Sequence, residues 1–225
     1  MKNFIYFEKI NSTQKYLIEK IKKGELNPPV CVWSELQTDG IGSKNNKWIG
    51  KKGNLFFSFA YKKEIFKNVP LQSLSIYFGW IFKKTLNELG SKAIMKWPND
   101  IYLIKTKNPQ PLNPSTPQPL DCIDKKPLKI GGVITNLIKS DIVCGIGLNT
   151  RFAPSKEFGS LDIVIKNGKI LKRFFLNLEK RIDFNNIIDE FNVEFEKYKS
   201  LFSIDAVLAK DGSLQNNQKR IYSKR

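Results

Sequence analysis

The residues of this sequence best suited to chemistry are Lys96 to Asp100, which read Lys-Trp-Pro-Asn-Asp. They follow a short apolar run, 93–95, that is typical of a buried strand. Pro98 has no backbone N–H and restrains the residue before it, so the strand should end here. A lysine, an amide and a carboxylate are then presented beside a tryptophan. This combination suits a polyanionic small molecule, and a solvated strand-to-turn junction is the alternative interpretation.

Three glycine-containing segments share this character. The loop 37–48 carries two glycines that allow close backbone approach, and its lysines and backbone N–H groups could bind an anion. Residues 129–132 (Lys-Ile-Gly-Gly) and 145–149 (Gly-Ile-Gly-Leu-Asn) place glycines in predicted strands, where a ligand or another backbone often comes close. A surface loop or a β-bulge explains each segment equally well when it is taken alone.

The absence of histidine from the sequence excludes several kinds of chemistry. Ser-His and Cys-His nucleophile pairs, histidine general bases and most transition-metal sites all need that residue. The three cysteines are scattered, without Cys-x-x-Cys spacing, as expected of reduced structural thiols. Catalysis would therefore use lysine, arginine, carboxylates, amides and backbone N–H groups, or a metal that arrives with the substrate.

The net charge is strongly positive, with 38 Lys and Arg against 21 Asp and Glu, a balance of +17. Such a charge attracts nucleotides, nucleic acid, anionic membranes or an acidic protein. Much of it can equally be solvated surface lysine. The longest apolar run is far shorter than the roughly 20 residues that cross a bilayer, and charge near the N-terminus argues against a signal peptide. We expect a cytoplasmic protein that does not enter membranes.

The hydrophobic pattern predicts an α+β fold with a mixed, largely antiparallel sheet and packed helices. Neither a Rossmann glycine motif nor a Walker loop is present. Residues 105–128 hold 6 of the 11 prolines and should form an exposed loop. Strands are predicted over 4–7, 30–34, 54–61, 93–97, 101–104, 129–137 and 142–147, helices over 13–23, 71–89, 170–181 and 187–202, and a hairpin or frayed tail over 212–225.

The order and spacing of five segments resemble those of bacterial biotin protein ligases: 12–14, 37–48, 96–100, 129–132 and 145–149. The resemblance covers about residues 4–150, and Lys-Trp-Pro-Asn-Asp is its most discriminating part, since lipoate ligases and octanoyltransferases differ there. It implies the biotin/lipoate ligase fold, which resembles class II aminoacyl-tRNA synthetases. The catalytic domain would be 1–203 with the insertion 105–128, and 204–225 a reduced C-terminal segment.

The resemblance also implies a two-step reaction. Biotin and ATP, with Mg²⁺ carried by ATP, would give biotinyl-5′-adenylate. A lysine of a biotin carboxyl carrier protein, from acetyl-CoA carboxylase or a related carboxylase, would then accept the biotin. Neither step needs an enzyme nucleophile, so the lack of histidine is no obstacle. The first step needs two anions held together and fixed positive charge beside them.

The family's functional residues carry over by position. Lys96 resembles the lysine that bridges the biotin carboxylate and the α-phosphate, Trp48 the aromatic residue that stacks on adenine, and 40–43 the loop that closes over the adenylate. The implied biotin-binding residues are Ser12, Thr13, Gln14, Gln37, Gly40, Ile41, Gly42, Ser43 and Lys96. The implied nucleotide-binding residues are Lys44, Trp48, Asn99, Lys129, Gly132 and Asn149. No protein ligand for a metal is assigned.

Alternatives remain open at this point. The main competitor is a lipoate or octanoate transferase of the same fold. A cysteine-lysine pair would support an octanoyl-thioester mechanism, but Cys31 and Cys144 lie in predicted strands and look structural. The charge alone would fit a nucleic-acid-binding module, and an inactive homologue is a third possibility. No helix-turn-helix precedes Phe4, so repressor activity is not expected. The protein could be a monomer or a homodimer paired through an edge strand.

The loop 40–45 departs from the family pattern, Gly-Arg-Gly-Arg-Arg-Gly, because Ile41 and Ser43 occupy the first two arginine positions. We hypothesise that Lys44 or Lys47 supplies part of the missing charge and that the adenylate is held less tightly. Ser43→Arg should then slow adenylate dissociation, measured by chasing the labelled intermediate from the enzyme. An unchanged off-rate would count against the hypothesis.

Overall fold

In the computed structural model, the described residues are 1, 3–42, 46–48, 50–106, 125–217 and 219–223. Twelve strands and four α-helices are assigned within them. The strands are β1 (Phe4–Phe7), β2 (Val30–Ser34), β3 (Gly40–Ile41), β4 (Lys47–Trp48), β5 (Leu55–Lys62), β6 (Ile94–Lys96), β7 (Asp100–Thr106), β8 (Lys125–Ile138), β9 (Asp141–Leu148), β10 (Val207–Leu208), β11 (Leu214–Gln215) and β12 (Arg220–Ile221). The helices are α1 (Thr13–Lys22), α2 (Leu74–Glu88), α3 (Asn167–Glu179) and α4 (Phe184–Tyr198).

Seven of the strands form the central sheet, in the order β1-β2-β5-β9-β8-β7-β6. β1 and β2 are parallel, and the other neighbouring pairs are antiparallel. The expectation of a mixed, largely antiparallel sheet with packed helices is thereby confirmed. β3 and β4 form a separate two-stranded ribbon, and β10 to β12 form a small three-stranded sheet.

One face of the central sheet, the core face, carries the main hydrophobic core. Phe57, Phe59 and Tyr61 of β5 point to this face. Phe57 and Phe59 pack on buried aromatic residues of α2 and α3, and Tyr61 packs on Phe59 and Phe66. α2 lies between α3 and α4 and contacts β6, β7 and β8. Alternation along β5 puts Ser58 and Ala60 on the opposite side of the sheet. None of the described helices is long and apolar enough to cross a membrane.

The opposite face, the site face, is only partly covered. α1 crosses β2, β5 and β9 and buries Leu17 and Ile21 against Val30, Ala60 and Val143. Ser12 caps the helix by accepting a hydrogen bond from the N–H of Lys15. Gly24, with a φ of +74°, follows the helix in a conformation that favours glycine. Beyond the N-terminus of α1, no helix of the described residues covers the site face over β8 and β9.

The prediction of an exposed loop over 105–128 was wrong at both ends. Residues up to Thr106 belong to β7, and β8 begins at Lys125; residues 107–124 lie outside the described part. Pro127 is tolerated because β9 pairs with β8 only from Gly131 onward, so this stretch of β8 has no strand neighbour on that side. The C-terminal strands likewise begin earlier than the expected hairpin, at Val207.

Glu194 of α4 ties α4 to α2 and to the edge of the sheet. Its carboxylate pairs with the Lys83 ammonium and accepts a hydrogen bond of 2.8 Å from the backbone N–H of Met95 in β6. The Lys83 and Glu194 side chains are only 8% and 14% exposed. Removing one charge of such a pair leaves the other buried and uncompensated.

Glu194→Gln should therefore lower the free energy of unfolding by about 3 kcal/mol, because an amide cannot neutralise the Lys83 ammonium. Urea unfolding monitored by circular dichroism measures this. Asp189→Asn is the matched control on the same helix, since Asp189 pairs with Lys210 at an exposed position. It should cost less than about 1 kcal/mol. Equal losses in the two variants would contradict the importance of the buried pair.

Candidate functional site

The free part of the site face holds a cavity of about 350 Å³, bounded by the N-terminus of α1, strands β5, β8 and β9 and the β3–β4 ribbon. This volume is in the range of small-molecule sites. The cavity is lined by Ser12, Thr13, Gln14, Gln37, Ile41, Gly42, Asn46, Lys47, Trp48, Ser58, Asn99, Asp100, Lys129, Gly132, Val133, Ile134, Gly145, Ile146, Gly147, Asn149, Pro154 and Phe158.

One end of the cavity is a buried, uncharged polar cluster at the start of α1. The Gln37 Oε1 accepts hydrogen bonds from the Thr13 N–H (2.7 Å) and the Thr13 hydroxyl (3.1 Å). The Thr13 and Ser58 hydroxyls lie 2.9 Å apart. A cluster of amides and hydroxyls offers both donors and acceptors to a neutral polar ligand.

Gln14 adds an acceptor to this end. Its Nε2 donates to the Asn136 Oδ1 (3.0 Å) and to the Val143 carbonyl (3.2 Å), which fixes the orientation of the amide. Its Oε1 lies over Gly145, is buried, and has no hydrogen-bond partner among the described residues. A buried acceptor without a partner is costly, so this oxygen is suited to a ligand N–H.

Glycines form the floor beneath the other end. A Cβ on Gly147 would lie 2.8 Å from the Trp48 indole, and a Cβ on Gly132 would lie 3.2 Å from the Asp100 carboxylate. The Trp48 indole therefore packs closely against backbone that carries no side chain. Its Nε1 is also buried without a partner in the described part of the chain. The indole offers an aromatic face and a free donor at this end.

Lys129 brings positive charge into the cavity. Its ammonium lies 2.6 Å from the Asp100 carboxylate and 5.5 Å from the centre of the Trp48 ring. The Lys129 and Asp100 side chains are 23% and 22% exposed, so the pair faces the cavity and is only partly solvated. An anion entering here would meet an oriented ammonium with one carboxylate beside it.

Lys96 lies at the rim of the cavity and is not among its lining residues. Lys96 pairs in register with Asp100 of β7, so its side chain leaves the backbone on the site face of the sheet. Its ammonium, however, lies over the rings of Phe202 and Tyr102, at 5.1 Å and 5.7 Å from their centres. The next residue, Trp97, packs against the core and donates to the Gly212 carbonyl (2.8 Å), so it anchors the C-terminal segment.

Three asparagines hold the walls in place. Asn99 donates to the Val133 carbonyl (2.6 Å) and fixes the turn after Lys96 to β8. Asn149 is fully buried and donates to the Gly159 carbonyl. The Asn54 Oδ1 accepts the backbone N–H groups of residues 151 and 152 (3.0 Å each), at the start of the loop that brings Pro154 and Phe158 to the cavity.

The structure brings together most of the residues that the sequence singled out. Gly40 lies behind the lining, where a Cβ would come within 2.7 Å of the Gln37 amide. Ser43 and Lys44 lie outside the described residues. Sequence reasoning missed Ser58, Asn54, Pro154 and Phe158, and it named Asp100 within the Lys96 motif without assigning it a contact. The one serine of the aromatic strand β5 and the terminal aspartate of the Lys96 motif were available signals; the loop 151–158 offered none.

A mixed sheet with a ligand-sized cavity on one face, polar at one end and cationic at the other, defines a small-molecule-binding domain of the α+β class. Residues 6–150 match the model of the biotin/lipoate A/B protein ligase family. The chain belongs to this family.

The chain is 35% identical over 100 residues to the "Bifunctional ligase/repressor BirA" of Salmonella typhimurium, covering 44% of this chain and 30% of that protein. It is 28% identical over 171 residues to "Biotin--protein ligase 2" of Arabidopsis thaliana, covering 68% of this chain and 45% of that protein. The chain thus spans less than half the length of these two relatives.

Among solved structures, the biotin acetyl coenzyme A carboxylase synthetase of Helicobacter pylori, described with bound biotinylated ATP, superposes with a TM-score of 0.82 at 32% identity. The superposition covers 99% of this chain and 100% of that chain. The biotin protein ligase of Aquifex aeolicus in complex with biotin and ATP has a TM-score of 0.64 at 25% identity, over 86% and 78% of the two chains.

Gly147→Ala should displace Trp48, because the new methyl group would lie within 2.8 Å of the indole. The Trp48 indole N–H signal in a ¹⁵N-correlated spectrum, assigned with Trp48→Phe, should shift. Gly168→Ala is the control, since a Cβ there meets nothing within 4 Å. An unmoved Trp48 signal in Gly147→Ala would refute the packing described here.

Proposed function

We propose that this protein is an ATP-dependent biotin protein ligase. It condenses the biotin carboxylate with the α-phosphate of ATP, releasing pyrophosphate, and then transfers the biotinyl group from the adenylate to a lysine of a biotin carboxyl carrier protein. MgATP is the nucleotide substrate. The supporting observation is a single cavity that joins a buried amide-and-hydroxyl pocket to the Lys129 ammonium, in a chain that aligns along its whole length with a ligand-bound biotin ligase.

The polar end suits the ureido head of biotin, a neutral group with two N–H donors and one carbonyl acceptor. The unpartnered Gln14 Oε1 can accept an N–H, and the Ser12 hydroxyl, whose oxygen accepts from the Lys15 N–H, can donate its proton to the carbonyl. Because these groups are buried, a ligand that failed to match them would leave them unpaired. The pocket therefore selects for biotin before any chemistry takes place.

Lys129 is the better-placed cation for the first step. The carboxylate of biotin and the phosphates of ATP repel each other, and a fixed ammonium between them lowers that repulsion. Lys129 lines the cavity beside Trp48, with its ammonium 5.5 Å from the ring centre, whereas Lys96 is not among the lining residues and its ammonium lies over Phe202. The sequence-based assignment of Lys96 as the bridging lysine stays a prediction, and the geometry favours Lys129 for that role.

Asp100 prepares Lys129 for the reaction. The Asp100 carboxylate holds the ammonium in one direction, so the ammonium need not be reoriented from solvent when substrates arrive. Trp48 offers its ring to adenine, as the resemblance implies. Asn149 is fully buried and its amide is bonded to Gly159, so we assign it to support of the wall and leave nucleotide contact as a prediction.

A transferase that uses a cysteine is not favoured. Burial raises the pKa of the Cys31 and Cys144 thiols far above their ordinary value, so both stay protonated and unreactive. Both belong to the core-face cluster, on the side of the sheet away from the cavity. Cys122 lies outside the described residues.

The net charge of +17 suits an acidic carrier domain as the protein partner. The identity of the carboxylase, the monomeric or dimeric state and the cytoplasmic location stay predictions. The domain boundaries 1–203 and 204–225 are proposals of the same kind.

The function is tested by incubating the protein with MgATP, a carrier domain and either biotin, lipoate or octanoate. Streptavidin blotting and intact mass should show ATP-dependent addition of biotin to the carrier. Modification by lipoate or octanoate instead would support the transferase alternative. No modification at all, together with a nucleic-acid gel shift at about 150 mM salt, would support the binding module.

The roles of the two lysines separate by mutation. Lys129→Ala should lower biotin-dependent ATP–pyrophosphate exchange at least 100-fold in kcat, the usual cost of removing one fixed electrostatic donor. Lys96→Ala should mainly raise the KM for ATP. Lys126→Ala, at an exposed position of the same strand β8, is the control and should match wild type. The opposite ranking of Lys96 and Lys129 would restore the sequence-based assignment.

A further inference from the structure

Lys96 is held at the cavity rim by two aromatic rings. Its ammonium lies 5.1 Å from the Phe202 ring centre and 5.7 Å from that of Tyr102, and the two rings contact each other at 4.9 Å and 66°. We call this pair the aromatic shelf. Distances below about 6 Å are those of favourable cation–π contacts.

The shelf brings together residues far apart in the sequence. Tyr102 is in β7, beside Lys96 in the sheet. Phe202 ends the 3-10 turn Lys199–Phe202 that follows α4. The same C-terminal segment accepts the Trp97 indole N–H at Gly212, so two consecutive residues of the Lys96 motif contact it. The segment after α4 therefore bears directly on the rim of the site.

We propose that Phe202 is a positioning residue for Lys96: with Tyr102 it holds the ammonium at the rim, ready to contact a phosphate of the bound nucleotide. The proposal rests on the ligase function proposed above. Lys96 starts on the site face in register with Asp100, which lines the cavity, so only a side-chain rotation separates the ammonium from the cavity. A lysine left free in solvent would sample many more rotamers and lose more entropy when it binds phosphate.

The shelf is suited to releasing the ammonium. Burial, with a smaller effect from the Asp100 charge, raises the pKa of Tyr102 to about 12, so the ring stays neutral at physiological pH. Neutral rings attract an ammonium less strongly than a phosphate does. The rings thus orient the Lys96 ammonium but hold it weakly enough for an incoming phosphate to replace them. A carboxylate at the same place would bind the ammonium more strongly and would hinder this exchange.

Phe202→Leu tests this because it removes the ring and keeps an apolar side chain. In biotin-dependent ATP–pyrophosphate exchange it should raise the KM for ATP about fivefold, the size of an ordinary cation–π contact, with kcat and the KM for biotin within twofold of wild type. Phe202→Tyr retains the ring and should restore the KM. In a Lys96→Ala background, Phe202→Leu should have no further effect.

Tyr198→Leu is the matched control. Lys197 lies over the Tyr198 ring at the same distance, 5.1 Å, at the end of α4 and outside the cavity lining. This variant should leave both KM values and kcat unchanged. A fall in kcat with both KM values unchanged in Phe202→Leu would indicate a merely structural ring and would overturn the proposal.

An activity-independent readout separates this proposal from the ligase function. With ¹³Cε-labelled lysine, the Lys96 Hε signals, assigned with Lys96→Arg, should be shifted upfield by the rings, and the shift should diminish in Phe202→Leu. Unshifted Lys96 signals in the wild type would overturn the shelf even in an active enzyme. A wild type with shifted signals and no biotin-dependent exchange would overturn the ligase function and, with it, the phosphate contact of Lys96.

Discussion

The site depends on three positions of β8 and β9 where the sheet carries no side chain on its site face. A Cβ at Gly145 would collide with the Gln14 amide, one at Gly147 with Trp48, and one at Gly132 would crowd Asp100. Glycine loses more conformational entropy than other residues when a strand forms, so these three glycines lower the stability of the sheet. Because the glycines carry no side chains, the Gln14 amide, the Trp48 indole and the ion pair can lie directly against the strand backbone, and a cavity remains above them.

The stability that the site face lacks is supplied by the core face. Phe57, Phe59 and the aromatic residues of α2 and α3 form a continuous buried cluster beneath the same strands that carry the glycines. Because alternate residues of a strand point to opposite faces, each strand can be packed tightly below and left open above. The buried pair of Lys83 and Glu194 then secures the edge strand that precedes the Lys96 motif. A rigid floor keeps the polar groups of the cavity in register.

Much of this organisation could be predicted from the sequence, and the failures have physical causes. Strand and helix patterns are local, so β1, α1, β2 and β5 lie close to where periodicity put them. The direction of a long side chain is not local: Lys96 and Lys129 both start on the site face, but only tertiary contacts turn one toward Asp100 and the other toward Phe202. The strand ends at 105–106 and 125–128 were missed because proline signals a loop unless the unpaired side of the strand is known.

The pair of Lys129 and Asp100 shows how a strongly basic protein keeps a usable positive charge in its site. With a net charge of +17, repulsion from other cations disfavours a partly buried ammonium unless a carboxylate lies next to it. That carboxylate also weakens the attraction for an incoming anion. A stabilised ammonium and strong ligand binding are compatible if the binding energy comes from other groups. These are the buried polar pocket at one end of the cavity and the indole at the other. Under the ligase function proposed above, Lys129 would act where the two substrates repel each other most, which is where a fixed charge lowers the barrier rather than merely tightening binding.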